Sequence, residues 1–204
     1  MTGTDMTLRH GAGSPLTLLV LPALFEEANR MRRFTVSVMR MLADRGIGTV
    51  LPDLPGMGEN FTDLTHIAVG TWLERLSSII DKHSLSISIR GGCLLDGLIA
   101  HRWRLAPEAG ERLLRDMVRA TAFGEGVTAS EIEARAKAQQ TRLAGNLIGP
   151  ALYNSLMAAV PEGDAFVSRV EGPKLWRFAE AGDDPAYATA VADEIAAWVK
   201  TCDA

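Results

Sequence analysis

Histidine and cysteine are scarce in this sequence, and their positions argue against several kinds of site. The 204 residues include four histidines, of which His101 is the last, and two cysteines, Cys93 and Cys202. No two histidines stand three or four positions apart, and the cysteines lack the spacing of a metal-binding pair, so we expect no metal site. Two such distant cysteines do not form a disulfide framework, which makes the reducing cytoplasm the expected location.

Strong charge and long apolar runs are also missing. The net charge of -4 gives no reason to expect nucleic acid or an anionic membrane as a partner. The apolar run from Leu16 to Phe25 contains Pro22, is too short to span a bilayer and leads into Glu26-Glu27 without a cleavage site. We therefore expect a soluble protein without a targeting sequence, and the length fits one compact domain covering residues 1–204.

Strand and helix patterns alternate in the first half of the chain and predict an α/β fold. Short apolar runs at Leu16–Leu21 and Ile47–Leu51 are typical of buried strands, and the alternating pattern of Ser84–Arg90 predicts a third. Amphipathic helices are expected over Arg30–Asp44 and Val69–Lys82. This spacing predicts a mostly parallel sheet with these three strands adjacent or nearly so, and with helices on both faces.

The second half has a less regular pattern. We expect residues 108–160 to form a helical insertion or cap over one end of the sheet. Ser130 is the expected N-cap of one of its helices, with Glu133 at the capping-box position. The remaining predicted elements are a short helix over Cys93–His101, a strand over Trp103–Ala106, helices over Glu111–Thr121, Ser130–Leu143 and Ala151–Ala159, strands over Ala165–Val170 and Lys174–Phe178, and a closing helix from Asp184 to Lys200.

The stretch from Ile47 to Asn60 organises the rest of the chain, and it reads IGTVLPDLPGMGEN. Its prolines and glycines end the apolar strand abruptly in a tight loop. Asp53 stands at the start of this loop, where its carboxylate is expected to accept hydrogen bonds from the loop's own backbone NH groups. The arrangement D-x-P-G-x-G-E, placed after a strand–helix–strand unit, resembles the loop after the fourth strand of α/β-hydrolases.

The turn after the third predicted strand corresponds to the nucleophile turn of that fold, and it reads Ser88-Ile89-Arg90-Gly91-Gly92. An α/β-hydrolase carries its nucleophile there in the pattern G-x-S-x-G. The small residues are present, but Arg90 occupies the position of the nucleophile, and arginine is neither a nucleophile nor a general base at ordinary pH. Cys93, three residues further on, is expected to pack as a small apolar residue.

Hydrolases of this fold bring in their histidine after the last strand. The corresponding stretch here, Phe178 to Asp184, is acidic and contains no histidine. A Ser-His-Asp triad in the usual chain order is therefore absent from the sequence.

A charged run follows the first core strand and reads PALFEEANRMRR from Pro22 to Arg33. By itself, a solvated loop leading into a helix explains it. Together with DLPGMGE and IRGGCLL, it resembles the exosortase-A-system-associated hydrolases of the second type, α/β-hydrolase-like proteins encoded with bacterial exopolysaccharide and protein-sorting genes. Members share an E-E-x-N-(K/R)-x-R-R run and a G-L-R-x-G turn with arginine at the elbow. The resemblance covers roughly residues 16–100, and Ser88 departs from the pattern in place of the first elbow glycine.

Two functional hypotheses remain open. The first is a hydrolase or acyltransferase-like enzyme with a nonstandard site. The second is a non-catalytic protein that binds an anionic small molecule or a protein partner in the cleft where a hydrolase of this fold has its active site. Loss of the nucleophile and the histidine favours the second. A homo-oligomer stays open, and no cofactor is expected because Pro22 follows the first strand instead of a glycine-rich phosphate loop. The candidate elbow and cleft residues are Arg90, Glu26, Glu27, Asn29, Arg33, Asp53 and Cys93.

One further expectation concerns how Arg90 is held. An unpaired buried charge costs several kcal/mol. The nearest carboxylates expected at that edge of the sheet belong to Glu26 and Glu27, which follow the neighbouring strand. We therefore expect Arg90 to pair with one of these two glutamates.

Overall fold

The structure, a computed structural model, describes residues 7–80 and 85–202. Short 3-10 helices cover Leu64–His66, Arg90–Leu94 and Leu175–Arg177. The strands and α-helices are, in chain order, β1 (Thr7–His10), β2 (Leu16–Leu21), α1 (Glu26–Asp44), β3 (Ile47–Pro52), α2 (Val69–Ile80), β4 (Leu85–Ile89), β5 (His101–Leu105), α3 (Gly110–Glu125), α4 (Ala129–Ala138), β6 (Thr141–Leu143), β7 (Asn146–Ile148), α5 (Pro150–Ala158), β8 (Phe166–Val167) and α6 (Pro185–Cys202).

Six of these strands form one sheet in the order β1-β3-β2-β4-β5-β8. Strand β1 is antiparallel to β3, and the other neighbouring pairs are parallel. Strand β2 lies between β3 and β4, with Leu19 opposite both Val50 and Ser86, so the predicted parallel arrangement of the first three core strands is confirmed. The carboxyl ends of β2, β3, β4 and β5 therefore meet at one edge, where the loops of an α/β sheet form binding sites.

Successive side chains of β2 point to opposite faces of the sheet, and both faces are covered. Leu18 and Val20 pack in a core cluster with α1 and α6. Leu19 and Leu21 pack in a second cluster with α2, α3, α4 and α5. The predicted helices on both faces are confirmed, and burial on both sides explains why the strand is apolar without alternation.

Helix α1 begins earlier than predicted, and the end of α2 is only partly described. Helix α1 begins at Glu26 instead of Arg30, so the two glutamates of the charged run form its first turn. Helix α2 begins at Val69 as predicted and is described to Ile80, while Lys82 lies outside the described residues. No helix in the described ranges is both long and apolar enough to cross a membrane.

The short helix predicted over Cys93–His101 is wrong. A 3-10 turn covers only Arg90–Leu94, and His101 already begins β5. The apolar residues between them, including Leu95 and Ile99, are buried in the core. Apolar content here reflects burial on several sides and not a helical period.

The strand predicted over Lys174–Phe178 is also wrong. This stretch forms the 3-10 helix Leu175–Arg177, and the last strand of the sheet is the short β8. A few apolar residues in a row fit either a short strand or a buried tight turn. The pair Leu175-Trp176 therefore could not show which of these two structures forms.

The helix predicted over Ser130–Leu143 is shorter and starts earlier. Thr128 is its N-cap and forms a capping box with Glu131, so the predicted cap at Ser130 with Glu133 lies two residues too late. Both pairs fit the same S/T-x-x-E spacing, which is why the sequence did not separate them. Beyond α4, β6 and β7 form an antiparallel hairpin, so residues 108–160 contain a hairpin as well as helices.

Candidate functional site

Arg90 lies at the tip of the sharp turn that follows β4. Its backbone adopts a left-handed conformation with a φ of 53°, which is strained for a residue with a Cβ. Gly92 makes the turn possible, because a Cβ at that position would overlap the backbone carbonyl oxygens of Leu21 and Pro22. The predicted elbow geometry is therefore present, and an arginine stands at its tip.

The guanidinium of Arg90 is enclosed by hydrogen-bond acceptors. Its Nε and Nη2 donate to the two carboxylate oxygens of Glu27, at 3.1 and 2.9 Å. Its Nη1 donates to the carbonyl oxygen of Ala106 at 3.2 Å and lies 3.1 Å from Oε2 of Glu108. The guanidinium carbon also lies 4.6 Å from the centroid of the Trp176 ring. The predicted pairing of Arg90 with one of the two glutamates is confirmed, and the partner is Glu27.

This cluster is largely withdrawn from water, and its charges stabilise one another. The side chain of Arg90 is 8% exposed, and those of Glu27 and Glu108 are 12% and 14% exposed. Burial alone would lower the pKa of Arg90, but the hydrogen bonds and negative charge of Glu27 and Glu108 outweigh it, so the pKa lies above its ordinary value. Arg112 lies 3.4 Å from Glu108 and balances the second carboxylate.

Glu26 does not reach Arg90. Its Oε1 accepts a hydrogen bond from the side-chain amide of Asn146 at 3.2 Å, which ties the first turn of α1 to the β6–β7 hairpin. Glu26 and Glu27 both line a cavity of about 270 Å³ near the elbow, together with Arg30 and Trp176. Two adjacent glutamates on one helix turn therefore serve different contacts.

Asp53 and Asn29 lie at a second and larger cavity, of about 410 Å³. Oδ2 of Asp53 accepts a hydrogen bond from the backbone NH of Glu59 at 3.2 Å, so the predicted bonding of the carboxylate within its own loop is confirmed. Burial raises the pKa of Asp53 above its ordinary value, although the bond from Glu59 and the charge of Arg32 act in the opposite direction.

Arg33 and Cys93 do not join the described lining of either cavity. Arg33 has a side chain that is 71% exposed and pairs with Asp183 at 3.4 Å. Cys93 is 1% exposed beneath the elbow, and burial raises the pKa of its thiol far above the ordinary range. A thiol that stays protonated and out of contact with solvent is a poor nucleophile.

A buried ion pair beside the elbow was not predicted from the sequence. Nε and Nη2 of Arg104 donate to the carboxylate of Asp96 at 2.9 and 2.6 Å. Both residues are buried, and Nη2 also donates to the carbonyl oxygen of Glu162 at 2.6 Å. The pair joins the chain after the elbow to β5 and to the segment before β8. The only feature of the sequence that pointed to this pair is that Asp96 and Arg104 are each a single charged residue next to apolar neighbours.

The described histidines lie away from the elbow turn. His101 is exposed at the amino end of β5, the end opposite to the one that carries the turn. His66 has a side chain that is 76% exposed beside Asp63, and His10 is on the edge strand β1. His83 lies outside the described residues. Within residues 7–80 and 85–202, no group of three His, Cys, Asp or Glu side chains is placed to hold a metal ion.

Comparison with solved structures identifies the fold. Alpha/beta hydrolase domain-containing protein 10 from mouse superposes with a TM-score of 0.57 at 14% identity, covering 96% of this chain and 94% of the mouse protein. Est1E from Butyrivibrio proteoclasticus, solved with bound ferulic acid, superposes with a TM-score of 0.52 at 12% identity, covering 75% of this chain and 66% of Est1E. The chain thus spans about two thirds of the length of Est1E.

No protein-family model matches the sequence. Comparison with curated proteins likewise gave no match. Identities of 12% and 14% establish the architecture and not a shared activity. With its mostly parallel six-stranded sheet and helices on both faces, the chain is an α/β-hydrolase-fold protein.

Proposed function

We propose that this chain is a non-catalytic α/β-hydrolase-fold protein that binds a ligand, and that it works with a bacterial exosortase and exopolysaccharide system. The observation that carries the proposal is the state of Arg90. It holds the nucleophile's position on the elbow, and Glu27 and Glu108 bind its guanidinium. An internal cluster of charges fills the place where a hydrolase attacks its substrate.

Loss of the Ser-His-Asp triad is part of the proposal. Arg90 replaces the nucleophile, and no histidine follows His101 in the sequence. The groups that a nonstandard enzyme would use are engaged elsewhere. Glu26 accepts a bond from Asn146, and Cys93 is buried with a protonated thiol. General acid–base chemistry requires a titratable group within reach of the reacting atoms, and these contacts leave neither Glu26 nor Cys93 free for that role at the elbow.

The same contacts argue against an anion bound at Arg90. Each of its three guanidinium nitrogens already donates to or pairs with an oxygen of Glu27, Glu108 or Ala106. An anionic ligand would have to displace a buried carboxylate, which is unfavourable because that carboxylate would then lack its counter-ion. The cavity of about 410 Å³ is the better location for a ligand.

The exosortase connection is supported by the motifs PALFEEANRMRR, DLPGMGE and IRGGCLL, which lie at the ends of β2, β3 and β4. It is tested by the genes that neighbour the one encoding this chain. Exosortase or polysaccharide-synthesis genes at that locus support the connection, and their absence from the locus in several related genomes contradicts it.

The absence of catalysis is tested with a fluorophosphonate probe and with p-nitrophenyl acetate and butyrate. A serine esterase of the same fold serves as the positive control. We expect no labelling and no hydrolysis above the buffer rate. The Arg90→Ser variant should also remain inactive, because a serine without a histidine is not activated. Stoichiometric labelling of the natural chain at a serine of the 84–92 segment would overturn the proposal.

A further inference from the structure

The cavity of about 410 Å³ is separate from the elbow. It lies between α1 and the loops that follow β2 and β3. Of its described lining residues, only Leu24 and Phe25 also line the cavity of about 270 Å³ beside Arg90, so these two side chains form the wall between them. Its volume is in the range of small-molecule sites.

Two opposite charges line this cavity without touching. Arg32 belongs to the second turn of α1, and Asp53 follows the end of β3. The positive charge of Arg32 acts on the Asp53 carboxyl and favours its ionised form. Among the described residues, however, no salt bridge or hydrogen bond joins them, and Arg32 has no ion-pair partner.

The polar groups near these charges divide into two sides. Asn29 stands beside Arg32 on α1 and offers an amide. Oδ2 of Asp53 is held by the backbone NH of Glu59, and Oδ1 has no hydrogen-bond partner in the described part of the chain. Glu59 also lines the cavity on the Asp53 side. One side is therefore cationic with an amide donor, and the other is anionic.

The rest of the described lining is mainly apolar. The apolar side chains come from β1, the loop after β2, α1, the end of β3 and the loop after it, and they are Leu8, Pro22, Ala23, Leu24, Phe25, Ala28, Val36, Leu51, Pro52, Leu54 and Met57. A ligand body that displaces water from these walls gains about 25 cal/mol for each Å² of apolar surface buried. Water removal also strengthens the field of the two separated charges.

We propose that this cavity binds a zwitterion with an apolar side chain, of the class of apolar α-amino acids and short apolar peptides. The ligand carboxylate pairs with Arg32 and Asn29, and the ligand ammonium pairs with Asp53. This inference names a ligand class for the binding function proposed above and rests on it. A simple anion would place its charge near Asp53 and Glu59, and a simple cation would place its charge near Arg32.

The ligand class is tested by titrating the full chain with three related compounds and following their NMR line widths and saturation transfer. L-phenylalanine is the zwitterion, N-acetyl-L-phenylalanine lacks the ammonium, and L-phenylalaninamide lacks the carboxylate. We expect L-phenylalanine to bind, and each blocked compound to bind at least about tenfold more weakly, because one of the two charged groups in the cavity loses its partner.

Variants locate the binding. Arg32→Gln and Asp53→Asn should each weaken the binding of L-phenylalanine about tenfold. In Asp53→Asn, the amide oxygen that replaces the carboxylate still offers an acceptor to the Glu59 backbone NH. Arg40→Gln, on an exposed position of the same helix outside the described lining, should leave the binding unchanged. Unfolding midpoints verify that the variants are folded.

Three outcomes would overturn the inference. If a blocked compound binds as well as L-phenylalanine, only one of the two ligand charges contributes to binding. The protein then still binds a ligand, but the proposal that the ligand is a zwitterion is wrong. An equal effect of Arg32→Gln and Arg40→Gln places the ligand elsewhere. Absence of binding by all three compounds removes the ligand class, while the fluorophosphonate assay still decides separately whether the protein is non-catalytic.

Discussion

Arg90 and Glu27 stand 63 positions apart in the sequence, yet their side chains form two parallel hydrogen bonds of 3.1 and 2.9 Å. Bidentate pairs of this kind are among the strongest polar contacts in proteins. Because Glu27 belongs to α1, which follows β2, and Ala106 and Glu108 follow β5, one guanidinium joins the segments that follow three neighbouring strands. The cluster therefore holds together the edge of the sheet at which an enzyme of this fold would open its cleft.

Removing Arg90 should destabilise the fold strongly. Arg90→Ala leaves Glu27 and Glu108 mostly buried beside each other without their shared cation, so we expect a loss of about 3–5 kcal/mol in the free energy of unfolding. Glu27→Ala should cost less, since Arg90 keeps Glu108. Denaturant unfolding of both single variants and the double variant measures this, and we expect a coupling energy of about 0.5–3 kcal/mol.

The control for this cycle is an exposed ion pair. Arg115 pairs with Glu111 on α3, and both side chains are about half exposed. Arg115→Ala should change the free energy of unfolding by less than about 1 kcal/mol. Additive effects of Arg90→Ala and Glu27→Ala would show that the pair does not act as a unit.

The elbow turn should not tolerate a side chain at Gly92. A Cβ at this position overlaps the backbone oxygens of Leu21, the last residue of β2, and of Pro22, which follows it, and these atoms cannot move independently of the sheet. Gly92→Ala should therefore destabilise the protein by about 1–3 kcal/mol or more. Gly97→Ala is the matched control, because nothing lies within 4 Å of its added Cβ. Equal unfolding midpoints for the two variants would contradict the close approach.

Cys93 should resist thiol reagents in the folded protein. It is buried, and burial raises the pKa of its thiol, so little thiolate is present near neutral pH. A Cys202→Ser variant isolates Cys93 for reaction with Ellman's reagent at pH 8. We expect almost no thiol to react in the folded state, and one thiol per chain to react after addition of guanidinium chloride. Rapid reaction of the folded variant would show that the thiol is accessible and would revive it as a candidate nucleophile.

The Asp53 carboxyl should make the folded protein less stable as the pH rises. Burial raises the pKa of its carboxyl in the folded state, so the folded protein binds the proton more tightly than the unfolded chain. This contribution to stability is present below the ordinary carboxyl pKa and declines as the pH rises through the folded-state pKa. In Asp53→Asn the decline is absent. We therefore expect the unfolding midpoint of the variant, minus that of the natural protein, to increase between roughly pH 3 and pH 6.

Asp63 provides a control of opposite sign. Its carboxylate accepts a hydrogen bond from the backbone NH of Thr65 at 2.9 Å, which lowers the pKa of Asp63. Its contribution to stability is present above the ordinary carboxyl pKa and is lost as the pH falls through the folded-state pKa. For Asp63→Asn the same difference in midpoint should therefore decrease from pH 3 to pH 6. Slopes of the same sign for the two variants would contradict this account.

The sequence alone determined the parallel core of the sheet. Leu16–Leu21 and Ile47–Leu51 are mostly apolar and do not alternate with charged residues, because a strand covered by helices on both faces has no exposed side, and that property is visible in a short window. The loop around Asp53 was equally local, since the carboxylate bonds to a backbone NH six residues later. The elbow turn and the presence of Arg90 at its tip also followed from five consecutive residues.

Only the tertiary structure decided which groups meet. Glu26 and Glu27 are identical and adjacent in the sequence, and the direction in which α1 leaves β2 sends one to Asn146 and the other to Arg90. Local pattern could not separate a helix from a buried turn after Cys93, because burial makes both apolar. The separation of Arg32 and Asp53 across one cavity depends on how α1 lies against the loop after β3. Such contacts arise from packing between distant segments, and no window of sequence contains them.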